Sequence, residues 1–297
     1  MKTYFFDVDA TNQKLLANKQ LFPGTIQDTD SQLFQDAEII SVFVHSIITK
    51  EILEKLPNLK MIALRSTGFD HVDLEYCREK NIVVCNVPSY GEQTVAEFVF
   101  ALLLFVTRRL QNVGYTANAV DYFGLDLFGK TLGIIGTGNI GMHVAKMAKG
   151  FNMKVLGYDL FPNEKMASEL GFEYTTMEKL LAQSDIVTLH APYNETTHHM
   201  IGEKEFGMMK NGVIFMNTAR GALVENNALL SALESGKIQT ALLDVVENDL
   251  EEIISHKNVI YTPHVAYNTK EAGQRIVETT LDNISAFENG VLKNQIK

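Results

Sequence analysis

Residues 131–159 constrain what this chain can fold into more than any other stretch. The apolar run TLGII is bounded by glycine, as a buried parallel strand is. It feeds Gly136-Thr137-Gly138-Asn139-Ile140-Gly141, which fits G-x-G-x-x-G. In such a turn the first glycine permits a tight reversal and the second lets a pyrophosphate approach bare backbone. The third lets the next helix lie close to the strand. A helix predicted over 142–148 aims its free N–H groups and its dipole at the phosphates. A second strand over 153–158 ends at Asp159, eighteen residues past Gly141, where a carboxylate takes ribose hydroxyls. The motif alone is also satisfied by a structural glycine turn. Strand, helix and acid at these spacings together point to a bound dinucleotide. Asp159 would repel a 2′-phosphate, and Leu160 and Phe161 supply no cation in its place, so NAD is favoured over NADP.

At 297 residues the chain has room for two domains. Its first part alternates strands (2–6, 38–45, 59–65, 82–87) with helices (49–56, 74–80), the plan of a small α/β unit with a parallel sheet. Between them lies Arg65-Ser66-Thr67-Gly68-Phe69-Asp70-His71-Val72-Asp73. Ligands of open α/β sheets bind beyond strand ends, so this loop is a candidate substrate cradle, and equally an ordinary loop before a helix. One helix is expected over 92–111. Its segment 98–106 is apolar on every face and requires burial in a core or against another subunit. Residues 114–129 read as a polar, glycine-punctuated surface connection. Beyond the glycine motif, strands are expected over 186–189, 213–216, 240–244 and 259–261, with helices over 165–170, 178–182 and 226–234. Gly236 closes the last of these. That alternation means a doubly wound sheet. Residues 270–288 form an amphipathic helix with Ile276, Ile284 and Phe287 on one side.

Asp plus Glu is 36 against 26 Lys plus Arg, for a net charge of −10. With no basic run to override that balance, neither nucleic acid nor an anionic membrane is an expected partner. The apolar N-terminal stretch is broken by Asp7, too short for a signal peptide, and 98–106 falls far short of a bilayer span. A cytoplasmic protein is expected. Cys77 and Cys85 read as buried spectators, and no residue is singled out as a metal ligand.

Three predicted strand ends in the second half carry polar residues: Asn217-Thr218-Ala219-Arg220-Gly221, Asp244-Val245-Val246-Glu247-Asn248-Asp249, and Thr262-Pro263-His264-Val265-Ala266-Tyr267. All three would open on the crevice where a nicotinamide sits. Singly, Arg220 reads as a surface arginine, His264 as a satisfied structural histidine, and Glu247, Asp249, Glu251 and Glu252 as a solvated acidic loop. Together they resemble the D-isomer-specific 2-hydroxyacid dehydrogenase family, which places arginine in N-T-A-R-G, an acid shortly after L-D-V, and histidine in T-P-H. The resemblance spans nearly the whole chain, from RSTGFDHVD through LHAPYNETTHHMI to TPHVAYNT, and is nearest the D-lactate dehydrogenase branch.

The resemblance implies two doubly wound α/β domains around a cleft. One is a flavodoxin-like substrate domain (1–98 and 268–297), and the other an inserted Rossmann NAD domain (99–267). It implies a homodimer joined through the apolar helix. It further implies NAD-dependent reduction of a small 2-keto acid, pyruvate to D-lactate first. The lack of an arginine cluster near the substrate loop ranks 3-phosphoglycerate, hydroxypyruvate and glyoxylate lower, and a non-catalytic NAD-sensing binding protein is the alternative from another class. Arg220 would hold the substrate carboxylate and polarise its carbonyl, and His264 would be the acid–base group. The acid paired with His264 falls on Asp249, where the family carries glutamate, with Glu247 second and Glu251 also in reach of a register slip. Backbone at Thr67 and Gly68 would anchor the carboxylate, with His45, Tyr90 and Tyr267 lining the side-chain pocket. For the cofactor the resemblance implicates Gly136, Gly138, Asn139, Ile140, Gly141, Asp159, Ala191, Pro192, Thr197, Thr218, Ala219, Arg220, Asp244 and His264.

Overall fold

Parallel strands build both sheets of this protein, and the central ones are buried on both faces. The computed structural model describes residues 1–8, 13–14, 16 and 19–296, apart from the side chain of Asp249. The chain divides into two compact units, Met1–Tyr90 with Thr269–Lys297, and Gly91–Asn268.

In the first unit the strands are β1 (Thr3–Phe5), β2 (Gln20–Leu21), β3 (Ile39–Val42), β4 (Met61–Leu64) and β5 (Val83–Cys85). Their order is β2-β1-β3-β4-β5, the flavodoxin-like arrangement, and every pairing is parallel. All four residues of β3 and of β4 are buried, which explains why these strands read as continuous apolar runs. The C-terminal helix Lys270–Glu288 belongs to this unit. Thr269 caps it by accepting the Ala272 N–H at 3.2 Å. Its Val277 and Ile284 pack with Phe5, Met61 and Ala63 of the sheet. Cys77 and Cys85 are buried free thiols, and burial pushes both up to about 11.

The second unit holds β6 (Thr131–Ile135), β7 (Lys154–Tyr158), β8 (Glu173–Tyr174), β9 (Ile186–Leu189), β10 (Val213–Asn217), β11 (Ile238–Leu243) and β12 (Val259–Tyr261). Their order is β12-β11-β10-β9-β6-β7-β8, all parallel. The order reverses between β6 and β9, and in open α/β sheets ligands bind outside the carboxyl ends of strands at that switch point. The glycine loop leaves β6 there.

The long helix is Glu92–Thr107, shorter than the expected 92–111. Leu125 returns to donate its N–H to the Thr107 carbonyl at 2.7 Å, and Arg109 turns left-handed at φ 51°. Local apolar pattern continues past Thr107, but the returning chain takes the carbonyl that the next turn would need. The division between units falls at 90/91 and not at 98/99. The helix buries Ala96 at its start with Val99 and Leu103, in one cluster with Val144 and Ala148, so it cannot be cut in its first turns. Its other face is less covered: Phe98, Leu104, Phe105 and Val106 are half-buried and Ala101 is exposed. Among the described residues no helix is long and apolar enough to cross a membrane.

Candidate functional site

The glycine loop shows which of its glycines the fold itself demands. Gly136 has φ +89°, and a Cβ there would lie 2.4 Å from the Ala191 nitrogen. A Cβ on Gly141 would lie 2.2 Å from the Gly136 carbonyl oxygen. Both positions are closed by the protein's own backbone. At Gly138 nothing lies within 4 Å of a built Cβ, so the space it leaves open faces outward, over the first turn of the helix Asn139–Gly150. The Thr218 hydroxyl, on the loop after β10, is buried and among the described residues has no hydrogen-bond partner. A bare backbone over a helix N-terminus and an orphaned buried hydroxyl fit a dinucleotide that supplies the missing contacts.

Asp159, at the end of β7, is held by the loop it is expected to serve. Its Oδ2 accepts from the Thr137 amide at 2.7 Å and the Thr137 hydroxyl at 3.1 Å, and its Oδ1 accepts from Phe161 N at 2.9 Å. Thr137 Oγ1 also lies 2.7 Å from the Tyr174 hydroxyl, which accepts from Asn163 N at 3.0 Å. Tyr174, on the two-residue strand β8, thus steadies the carboxylate through Thr137. Leu160 and Phe161 are exposed, and neither offers a cation for a 2′-phosphate.

The loops after β10, β11 and β12 are tied in sequence by backbone. Asp244 donates its N–H to the Asn217 carbonyl at 2.9 Å, and His264 donates its own to the Asp244 carbonyl at 2.9 Å. Asn217 is buried and bridges the Arg220 loop on both sides: its Nδ2 donates to the Arg220 carbonyl at 2.8 Å and its Oδ1 accepts from Ala219 N at 3.0 Å. Arg220 is half-buried, with Nη1 donating to the Ala219 carbonyl at 2.8 Å. Gly221 follows because a Cβ there would lie 2.3 Å from the Glu247 nitrogen. His264 is half-buried in a left-handed conformation, φ 53°, with the Tyr267 ring edge-on at 5.9 Å. A non-glycine residue adopts that conformation at a cost, which neighbouring contacts must offset.

Those contacts come from Asp244, which is fully buried. Oδ1 accepts from Thr262 Oγ1 at 2.6 Å and Val265 N at 2.8 Å, and Oδ2 from Ala266 N at 2.9 Å. Both carboxylate oxygens therefore serve the His264 loop. The Thr197 hydroxyl is likewise committed to its own loop, donating to the Pro192 carbonyl at 2.8 Å. His190, at the end of β9, sits beside Thr188 Oγ1 at 3.0 Å through Nε2, while its buried Nδ1 has no partner among the described residues. Burial pulls this imidazole down to about 3, so it is neutral at physiological pH.

Of the acids after β11, the side chain of Asp249 lies outside the described residues. Glu247, the second choice for the partner of His264, is engaged elsewhere: its Oε2 is 2.7 Å from His199 Nε2. Glu251 opens a short helix, Glu251–Ile254, and is exposed.

In the first unit the remaining candidates stand beyond the carboxyl ends of adjacent strands: His45 after β3, Thr67 and Gly68 after β4, and Tyr90 after β5. The loop after β4 is firmly held. Buried Arg65 donates to the Phe6 and Asp7 carbonyls and to Ser41, and Thr67 Oγ1 donates to the Val87 carbonyl at 2.8 Å. Among the described residues nothing accepts the amides of Thr67 and Gly68. Sequence reasoning missed Asn217, Tyr174, His190 and His199. Asn217 carried a signal as the first residue of a polar run at a strand end, and His190 and His199 stand within the LHAPYNETTHHMI stretch.

A family model for the NAD binding domain of D-isomer specific 2-hydroxyacid dehydrogenases matches residues 100–266. The glyoxylate reductase of Thermococcus litoralis is 39% identical over 273 residues, covering 86% of this chain and 82% of its own. The D-lactate dehydrogenase of Escherichia coli is 33% identical over 295 residues, covering 91% of this chain and 89% of its own. A crystal structure of D-lactate dehydrogenase from Aquifex aeolicus, complexed with NAD and lactic acid, matches with a TM-score of 0.89 at 36% identity, covering 97% of this chain and 96% of that one. The family match takes in the glycine loop and all three tied loops of the second unit, and on it this chain belongs to the D-isomer specific 2-hydroxyacid dehydrogenases, NAD-dependent oxidoreductases of 2-hydroxy acids.

Proposed function

We propose that this protein reduces a small, unphosphorylated 2-keto acid to the D-2-hydroxy acid, with pyruvate to D-lactate as the first assignment. The observation that carries this reading is the backbone chain from Asn217 through Asp244 to His264, which ties the Arg220 and His264 loops to the Asp244 loop that stands between them. Bound NADH supplies the hydride. Arg220 holds the substrate carboxylate and polarises the 2-keto oxygen with a planar fork of donors. His264 holds the proton that the carbonyl oxygen receives. Asp249 takes the part of the carboxylate that keeps His264 charged and oriented. Amides of Thr67 and Gly68 bind the substrate carboxylate, and His45, Tyr90 and Tyr267 bound its side chain. For the cofactor, Gly138, Asn139 and Ile140 take the pyrophosphate and Asp159 the adenine-side ribose. Ala191, Pro192, Thr197, Thr218 and Ala219 flank the nicotinamide half.

Glyoxylate reduction is the second reading, favoured by the name of the 39% identical relative. We also propose that the chain works as a homodimer. The half-buried face of the long helix is followed by the exposed apolar residues Val113, Tyr115, Val120, Phe123 and Phe128, which a second copy would cover. Light scattering after gel filtration reads that directly as twice the chain mass.

NADH consumption across pyruvate, 2-ketobutyrate, phenylpyruvate, hydroxypyruvate and glyoxylate, with NADPH in parallel, tests the assignment. Fastest turnover of pyruvate with a D-product supports it. Preference for glyoxylate transfers the assignment to the second reading, and a preference for NADPH removes the role given to Asp159.

A further inference from the structure

We propose that His198, His199 and Glu247 form a binding site for a divalent transition-metal ion of the zinc type, separate from the groups assigned to the reaction. One ring nitrogen from each histidine and one carboxylate oxygen of Glu247 all lie within 4.8 Å of one another. His199 Nε2 and Glu247 Oε2 are already 2.7 Å apart.

Adjacent residues on an extended chain point to opposite sides. Here the left-handed backbone of His199, φ 49°, brings both imidazoles to one side, with ring centroids 3.8 Å apart and planes at 22°. Histidine tolerates that conformation better than most residues, but the conformation still costs free energy and gathers at functional positions. An ion pair between His199 and Glu247 needs only those two residues. His198 touches Tyr193, edge-on at 6.0 Å with Nδ1 3.5 Å from its hydroxyl, and still stacks on the His199 ring beside Glu247.

Both segments are anchored. His199 N donates to the Ala222 carbonyl at 2.8 Å and Ile201 N to the Leu223 carbonyl at 3.1 Å. On the other side Asn226 Nδ2 donates to the Glu247 carbonyl at 3.0 Å. The donor set therefore sits on two fixed pieces of backbone, and only side-chain rotation is needed to close it.

The chemistry selects the ion. Two imidazoles and one carboxylate suit zinc, which binds such donors at about 2.0–2.2 Å and accepts water as a fourth ligand. The His199 and Glu247 side chains are 36% and 24% exposed, which leaves water access for that position. Zinc binds imidazole nitrogen and carboxylate oxygen only in their unprotonated forms, so its uptake competes with protons and weakens in acid.

The test is calorimetric titration of the untagged, metal-stripped full chain with ZnCl2 at pH 7.5 and 6.0, beside His198→Ala and Glu247→Gln. Expected are one ion per chain, weaker binding at pH 6.0, and at least a tenfold loss of affinity in His198→Ala. His198 is exposed, so His198→Ala folds normally and keeps the parent's turnover in chelator. Glu247→Gln should weaken binding similarly. No stoichiometric binding, or equal binding by His198→Ala and the parent, overturns the proposal, the second result placing the ion at other histidines or acids.

Discussion

Asp244 Oδ2 accepts the amide N–H of Ala266 at 2.9 Å, two residues beyond His264. With the bonds from Thr262 and Val265 to Oδ1, this makes one buried carboxylate the anchor of the whole T-P-H loop. Asp244→Asn keeps the shape but turns an amide donor toward one of those donors. A buried donor left without an acceptor costs on the order of 2 kcal/mol. The urea midpoint should fall accordingly, and turnover should drop because His264 loses its fixed position. An unchanged midpoint would show that the loop holds without the charge.

Tyr174 reaches Asp159 only through Thr137, and this sets how its loss should read out. Tyr174→Phe removes two neutral hydrogen bonds, one with Thr137 and one from the Asn163 amide, each worth about 1 kcal/mol, and leaves Asp159 less firmly aimed. The KM for NADH should rise about fivefold with kcat unchanged at saturating NADH, and the preference over NADPH should narrow. Steady-state kinetics with both cofactors checks this. A fall in kcat with KM unchanged would assign Tyr174 a merely structural place.

Which parts were legible in the sequence follows from where their causes lie. The strand at Ile186–Leu189 and the helix at Asn226–Glu234 have the expected bounds, because burial on both faces and a closing Gly236 are local signals. The glycine loop is legible for the same reason: its close contacts arise within one strand–turn–helix unit and the neighbouring strand end. Tyr174 is not, since its partner Thr137 stands 37 residues away and β8 is only two residues long. Counting along the loop after β11 leaves Glu247 and Asp249 in competition. Nor does that count reveal that Glu247 Oε2 lies 2.7 Å from His199 Nε2, 48 residues away in sequence. The helix end at Thr107 is set by Leu125, again from outside the local pattern.

His190 should make stability depend on pH between 7 and 5, mostly above the range where carboxylates titrate. Its folded-state value of about 3 lies below the ordinary histidine value, so between the two the unfolded chain binds a proton that the folded chain refuses. The contribution is fully present above pH about 6.5 and is lost as pH falls toward 3. From pH 7 to 5 the loss should be about 1–2 kcal/mol. Urea midpoints of the parent should therefore fall more steeply over that range than those of His190→Asn. Parallel slopes would mean that the imidazole takes up its proton in the folded state.

Arg220 and His264 stand on loops tied to either side of the Asp244 loop, yet their substitutions should separate cleanly. Lysine at 220 keeps the charge and loses the planar fork, so carboxylate and carbonyl can no longer be engaged together. Arg220→Lys should raise the KM for the 2-keto acid by at least about tenfold and lower kcat as well. Alanine at 264 removes the proton donor and leaves the glycine cradle untouched. His264→Ala should lower kcat by about 100-fold or more, the range for general acid catalysis, while NADH affinity by fluorescence titration stays near the parent's. The sequence distance between the two residues is irrelevant to this separation. It rests on Asn217 clamping one loop and Asp244 the other, so that each side chain can be lost without moving its neighbour. If His264→Ala kept the parent's kcat, the proton would have to come from another group, and the acid–base role given to this histidine would fall.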